Sequence, residues 1–177
     1  MNLIDCSLAR HGDAILTILN EAILHSTALY EYAPRTAASM PAWFEARHSR
    51  GYPVLGIEDD AGVLLGFASY GVFRGFAAFK YTVEHSLYVH SAHRGRGVGE
   101  ALLRALIERA RQQQLHVLVG CLDADNAASI ALHRKLGFVS AGTLTQAGYK
   151  FGRWLDLALW QLTLDTPAQP YDDTLQP

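Results

Sequence analysis

The sequence predicts an α/β fold: a mixed, mostly antiparallel central sheet around one parallel strand–loop–helix–strand unit. Three observations predict it. YTVEHSLYV at 81–89 has strand character and leads through HRGRGVG at 93–99 into a helical pattern running to about Gln113. That helix presents Val98, Ala101, Leu102, Ala105 and Leu106 on its inward face. HVLVGCL at 116–122 is then an almost unbroken apolar run, the pattern of a strand covered on both faces. A right-handed crossover joining two parallel strands is the natural geometry for that order.

Ahead of this unit, Ile15, Ile18, Leu19, Ala22 and Ile23 recur at helical spacing, with Asp13 as the expected N-cap. SMPAWFEARHSRG predicts a second helix, capped by Ser39, with Pro41 in its first turn and Gly51 as its stop. The period then changes. PVLGIE and VLLGFASYGVF, joined by DDAG, predict an antiparallel hairpin. After the apolar strand, NAASIALHRKLGF is a short helix ended by Gly137, and FVSAGTLTQ and RWLDLALWQLTL are closing strands. One domain over residues 1–164 is expected, followed by a Pro- and Asp-rich tail, 165–177, that is mobile or drapes over a partner subunit.

A chain of 177 residues is long enough for one well-buried core. Half of it is hydrophobic and 18% is charged, a globular composition. Its net charge of -2 and isoelectric point near 6.4 lack the basic excess of a nucleic-acid binder. No apolar stretch reaches membrane-spanning length, and no leader pattern opens the chain, so a cytoplasmic protein is expected. Cys6 and Cys121 have neither metal nor redox spacing; Cys121 reads as a buried core thiol. His90, His93 and His116 have no partners at ligand spacing, and no metal is expected.

The glycine loop carries the first chemistry. A helix N-terminus presents unpaired N–H groups and the positive end of the helix dipole. Gly95, Gly97 and Gly99 let that backbone approach an anion, and Arg94 and Arg96 add charge. A tight turn with solvated arginines reads equally well from the loop alone. A dinucleotide fingerprint needs glycine where Glu100 stands, and a P-loop needs Gly-Lys-Ser/Thr, which is absent.

Arg94, Gly97 and Gly99 do match Arg-x-x-Gly-x-Gly, the pyrophosphate signature of the GNAT superfamily of N-acetyltransferases. DADNAASIALHRKLGF resembles the Asn-containing turn and short helix that follow in that family. Across almost the whole chain, STALYEYAPRT, the FR before YTVEHSLYV, SIALHRKLGF and KFGRWLDL resemble one branch, the phosphinothricin and methionine sulfoximine/sulfone acetyltransferases. The resemblance implies acetyl-CoA as co-substrate, a small amino acid acceptor and a homodimer.

It also implies roles for particular residues. Glu84 matches a catalytic glutamate and is the candidate general base, since an α-amine with a pKa of roughly 8 is mostly protonated at neutral pH. His133 stands four residues before Gly137, where many members have a tyrosine that protonates the departing thiolate; a histidine there could act as acid or base, or simply pack. The backbone of Leu87, Tyr88 and Val89 is expected to pair with the pantetheine arm as an added strand. Arg94, Gly95, Arg96, Gly97, Val98 and Gly99 would hold the pyrophosphate. Asn126 would bond the pantetheine or cap its helix, and Ser129 is a further contact.

For the acceptor, Arg74 is the best fork-shaped donor for a carboxylate. Tyr30, Glu31, Tyr32 and Phe76 are expected to line the pocket, with His85 behind Glu84 on the opposite face of the strand. Lys80 and Lys150 are spare cations nearby. RGFAAFKY is more apolar than a strictly phosphinate-reading loop, which favours a methionine sulfone or sulfoximine. A protein N-terminal or lysine acetyltransferase, a non-catalytic acyl-CoA-binding module and a nucleotide-binding regulator are the competing readings.

Overall fold

The computed structural model describes residues 1–172. Seven strands form one sheet: β1 Asn2–Asp5, β2 Val54–Glu58, β3 Leu64–Val72, β4 Thr82–Val89, β5 Val117–Asp123, β6 Val139–Lys150 and β7 Arg153–Thr163. Four α-helices accompany them: α1 Leu8–His25, α2 Met40–His48, α3 Val98–Gln112 and α4 Ala127–Lys135. The strand order is β1-β2-β3-β4-β5-β7-β6. β4 and β5 are the parallel pair, joined through the glycine loop and α3, and the remaining pairings are antiparallel. None of the described helices is long and apolar enough to cross a membrane.

Two hydrophobic clusters cover the sheet's faces. Leu102, Leu103, Leu106 and Ile107 of α3 pack on Ala68, Tyr70, Val83 and Leu118. Ile15, Ile18 and Leu19 of α1, with Met40, pack on Phe67 and Val54 from the other side. Strand alternation thus divides β4: Val83, Leu87 and Val89 belong to the α3 side, and Tyr88 to the α1 side.

Four expectations need correction. β1 was not foreseen; it is a short, mostly exposed edge strand, so it carries too little apolar pattern to register. α1 begins at Leu8 and not beside Asp13, because His11 Nδ1 accepts the Ser7 N–H at 2.9 Å and holds the first turn. Ser39 has helical backbone angles and bonds Thr36 O, so a 3-10 turn at Ala37–Ser39 runs straight into α2 without a side-chain cap. On α3 the buried stripe is rotated: Ala101 is exposed, whereas Leu103, Ile107 and Ala110 are buried.

Beyond Leu164 the chain stays against the domain as far as it is described. His116 Nδ1 donates to Thr166 O at 2.8 Å, and Tyr171 stacks edge-on against Tyr81. Residues 173–177 of the expected tail lie outside the described residues.

Candidate active site

The parallel ladder between β4 and β5 stops at His85↔Gly120. β4 continues to Val89 paired only with β3, and β5 continues to Asp123 paired only with β7. The strands therefore part, and from Ser86 onward the edge of β4 facing β5 has no strand partner. Main-chain groups of Leu87, Tyr88 and Val89 on that edge are left to bond an extended ligand.

Two cavities fill the gap and share Leu87, Tyr88, Asn126 and Ser129 along their border. The first, about 400 Å³, reaches Val89, Arg94, Gly95, Val98 and Gly99. Gly95 and Gly97 have φ of +73° and +82°, angles that only glycine adopts without strain. Gly97 caps α3, whose first internal bond runs from Ala101 N to Gly97 O. No partner among the described residues takes the N–H groups of Gly95 to Glu100. Arg94 is steadied by donating Nε to Val89 O at 3.1 Å. The Glu100 carboxylate beside the turn is neutralised: Lys135 and Arg104 bond it at 2.6 and 2.8 Å and hold it below its ordinary pKa. This turn has the N–H groups, charge and room that a pyrophosphate needs.

The second cavity, about 460 Å³, holds Glu84, Cys121, His133, Tyr30 and Arg74. Cys121 was read as core, yet it lines this wall. Burial, and then the Glu84 carboxylate beside it, pushes its thiol up to about 12, which keeps it neutral and poorly nucleophilic. Arg74 is exposed at the rim, its guanidinium 5.2 Å from the Phe73 ring. Asn126 caps α4 by accepting the Ser129 N–H at 3.0 Å, which leaves its amide nitrogen available at the border of the two cavities.

His133 is buried behind Ser129. Its Nδ1 lies 2.7 Å from Ser129 O, and its Nε2 lies 2.8 Å from His85 Nε2. A carbonyl can only accept, so Nδ1 carries the proton of neutral His133 and Nε2 accepts from His85 Nε2–H. Burial lowers the pKa of both rings, and the neighbouring ring lowers that of His85 further. Gly120 makes room for the pair, since a Cβ there would lie 2.9 Å from the His85 ring and 3.1 Å from His133 Nε2.

Lys150 is not a spare cation. Its ammonium donates to Ile23 O, Ser26 O and Leu29 O at 2.6, 2.8 and 2.5 Å, tying the end of α1 to β6. That clamp sets the segment carrying Tyr30, whose ring packs so closely on Gly148 that a Cβ there would lie 2.7 Å away. Other acceptor-site expectations are not gathered in. Glu31 is paired with Arg35, Tyr32 is 72% exposed and Phe76 is 75% exposed. Arg96 and Gly97 flank the cofactor-side cavity without lining it.

A third cavity, about 310 Å³, lies on the α1–α2 side and shares Glu84, Ser86 and Tyr88 with the second. Arg35, Trp43 and Arg47 line it, and sequence reading did not find them. A signal was present for two of them: Trp43 and Arg47 are one helical turn apart on the predicted second helix. A larger cavity, about 1030 Å³, opens between α2 and Arg109 and contains none of the expected site residues. Among the described residues no cluster of His, Cys, Asp and Glu could hold a metal ion.

Residues 20–138 match the Acetyltransferase (GNAT) family, a span that contains the glycine loop, Glu84 and α4. The L-methionine sulfoximine/L-methionine sulfone acetyltransferase of Pseudomonas paraeruginosa is 54% identical over 151 residues, 85% of this chain and 88% of that protein. The phosphinothricin N-acetyltransferase of Alcaligenes faecalis is 39% identical over 155 residues, 86% of this chain and 77% of that one. In three dimensions, yncA from Salmonella typhimurium with its cofactor acetyl-CoA matches with a TM-score of 0.92 at 46% identity, covering 97% of this chain and 98% of that one. Together with the parted strands and the glycine turn, this match means that the chain belongs to the GNAT family of acetyltransferases.

Proposed function

We propose that this enzyme transfers an acetyl group from acetyl-CoA to the α-amino group of a small amino acid of the methionine sulfone, methionine sulfoximine or phosphinothricin type. The observation that carries the reading is the meeting of two cavities at Leu87, Tyr88, Asn126 and Ser129. One leads to the anion-binding turn and the other to Glu84. A donor with its pyrophosphate on Gly95–Gly99 and its arm along the free edge of β4 would thus deliver its thioester beside a carboxylate.

Glu84 acts as the general base, directly or through a water, and frees the amine for attack on the thioester carbonyl. Holding both substrates together removes the need for a covalent enzyme intermediate and is worth roughly 7–11 kcal/mol of the barrier. The neutral thiol of Cys121 fits direct transfer. Leu87, Tyr88 and Val89 hold the arm, Arg94, Arg96 and the glycine turn hold the pyrophosphate, and Asn126 and Ser129 fix the thiol end. Both ring nitrogens of His133 are engaged, so it reaches the departing sulfur as an acid only by releasing Ser129 O. Its resting part is to brace α4 at that end.

Tyr30 and Arg74 line the acceptor cavity. Its modest volume suits a small amino acid better than a polypeptide. The enzyme works in the cytoplasm as a homodimer in this reading. The exposed edge strand β6, with Val139, Leu144 and Tyr149 on its surface, is a suitable face for a second copy; sedimentation should give twice the chain mass. The decisive experiment is thiol release from acetyl-CoA across amino acids, sulfones, sulfoximines and phosphinothricin. Turnover confined to the oxidised-sulfur and phosphinate acceptors supports the reading, and silence across the panel refutes it.

A further inference from the structure

Arg47, on α2, lines the third cavity. Its guanidinium carbon sits 3.7 Å above the Trp43 ring, with Nε on Ser69 Oγ at 3.0 Å and Nη1 on Trp43 O at 2.8 Å. The hydroxyl of Ser69 is itself fixed, donating to Pro53 O at 2.7 Å. A guanidinium has five N–H groups. Two are taken here, both by neutral acceptors, and no carboxylate among the described residues pairs with it. Arg35 beside it is different, because Glu31 takes its Nε and Nη2 and neutralises it.

Arg47 is therefore a rigid, half-buried fork with donors to spare and an uncompensated charge. Burial, and then the Arg35 charge, lowers its pKa to about 10, a sign of how poorly that cation is solvated. A buried cation is costly without a counter-charge, and the fork geometry suits two oxygens of one carboxylate. Glu84 borders this cavity as well as the acceptor cavity. An amine held at Glu84 can thus extend its carboxylate toward Arg47 and its side chain toward the rim.

We infer that Arg47, and not the rim residue Arg74, seats the α-carboxylate of the acceptor, leaving Arg74 to meet oxygens on its side chain. The inference rests on the function proposed above. It makes the α-carboxylate a required feature, which excludes simple amines and internal peptide positions as good acceptors.

The test compares methionine sulfone with its carboxamide as acceptors. The wild-type enzyme should prefer the acid by about a hundredfold or more in kcat/KM. Arg47→Met should raise KM for the acid about ten- to a hundredfold. It should leave the amide and acetyl-CoA parameters near wild type and so erase the preference. Arg47→Lys, which keeps the charge but loses the fork, should restore part of it, and thermal melting confirms that each variant folds. A folded Arg47→Met enzyme that still prefers the acid overturns the inference, as does loss of the preference in Arg74→Met alone. Wild-type enzyme that acetylates neither compound, nor methionine sulfoximine or phosphinothricin, refutes the proposed function itself, a different result from either.

Discussion

His85 Nε2 and His133 Nε2 meet at 2.8 Å across the point where β4 and β5 part, and the ring of Phe138 packs on both. This contact joins the strand that carries Glu84 to the helix that carries Ser129. It is possible because the residue opposite His85 in the parallel ladder is Gly120.

Gly120→Ala should therefore be costly. Its Cβ would lie 2.9 Å from His85 and 3.1 Å from His133, both buried and unable to withdraw. Overpacking of this kind costs about 1–3 kcal/mol. Chemical denaturation should show that loss, and turnover should fall as well because the strands are pushed apart at the site.

The same pair makes stability depend on pH. Both rings have pKa values below the unfolded value of 6.5, so the unfolded chain binds more protons in acid. The contribution is fully present above about pH 6.5 and is lost progressively as the pH falls toward the folded-state values. Urea midpoints measured from pH 7.5 to 4.5 should decline below about 6.5. His85→Phe combined with His133→Gln should flatten that decline; an unchanged slope would remove the pair as its source.

Glu84→Gln keeps the shape of the side chain and removes the carboxylate proposed as the base. Turnover should fall by roughly a hundred- to ten-thousandfold while acetyl-CoA binding, followed by calorimetry, stays close to wild type. Turnover equal to wild type would exclude Glu84 as the base.

Gly97→Val places a β-branched residue at φ +82° at the start of α3. The turn holds this conformation without strain only with glycine there, and the proposed pyrophosphate contacts depend on it. Acetyl-CoA affinity should drop at least tenfold, with the acceptor KM much less affected. Unaltered affinity would show that the turn does not hold the phosphates.

Much of this architecture is legible without coordinates because its signals are local. Glycines at 95 and 97 before an apolar helical repeat announce a turn with positive φ, and the structure has it. The β3 and β4 strands, α3 and the unbroken apolar β5 appear where their periodicity predicts them. Ends of elements were less readable. The first turn of α1, where Arg10, His11 and Gly12 follow Leu8 and Ala9, lacks the apolar spacing that begins at Ile15, and the four-residue β1 exists only because β2 offers an edge to pair with.

By itself the sequence determined the glycine turn, the parallel crossover and the family likeness that points to Glu84, since each depends on neighbouring residues. Tertiary structure alone decided what surrounds Glu84. Cys121 entered the cavity wall, Tyr32 and Phe76 stayed outside it, Lys150 became the clamp on α1, and Arg47 arrived from α2 without a counter-charge. These outcomes depend on strand register, on where the β4–β5 ladder ends and on the packing of helices against the sheet. Such choices are made by burial and hydrogen bonding between residues far apart in the chain, and no local pattern encodes them.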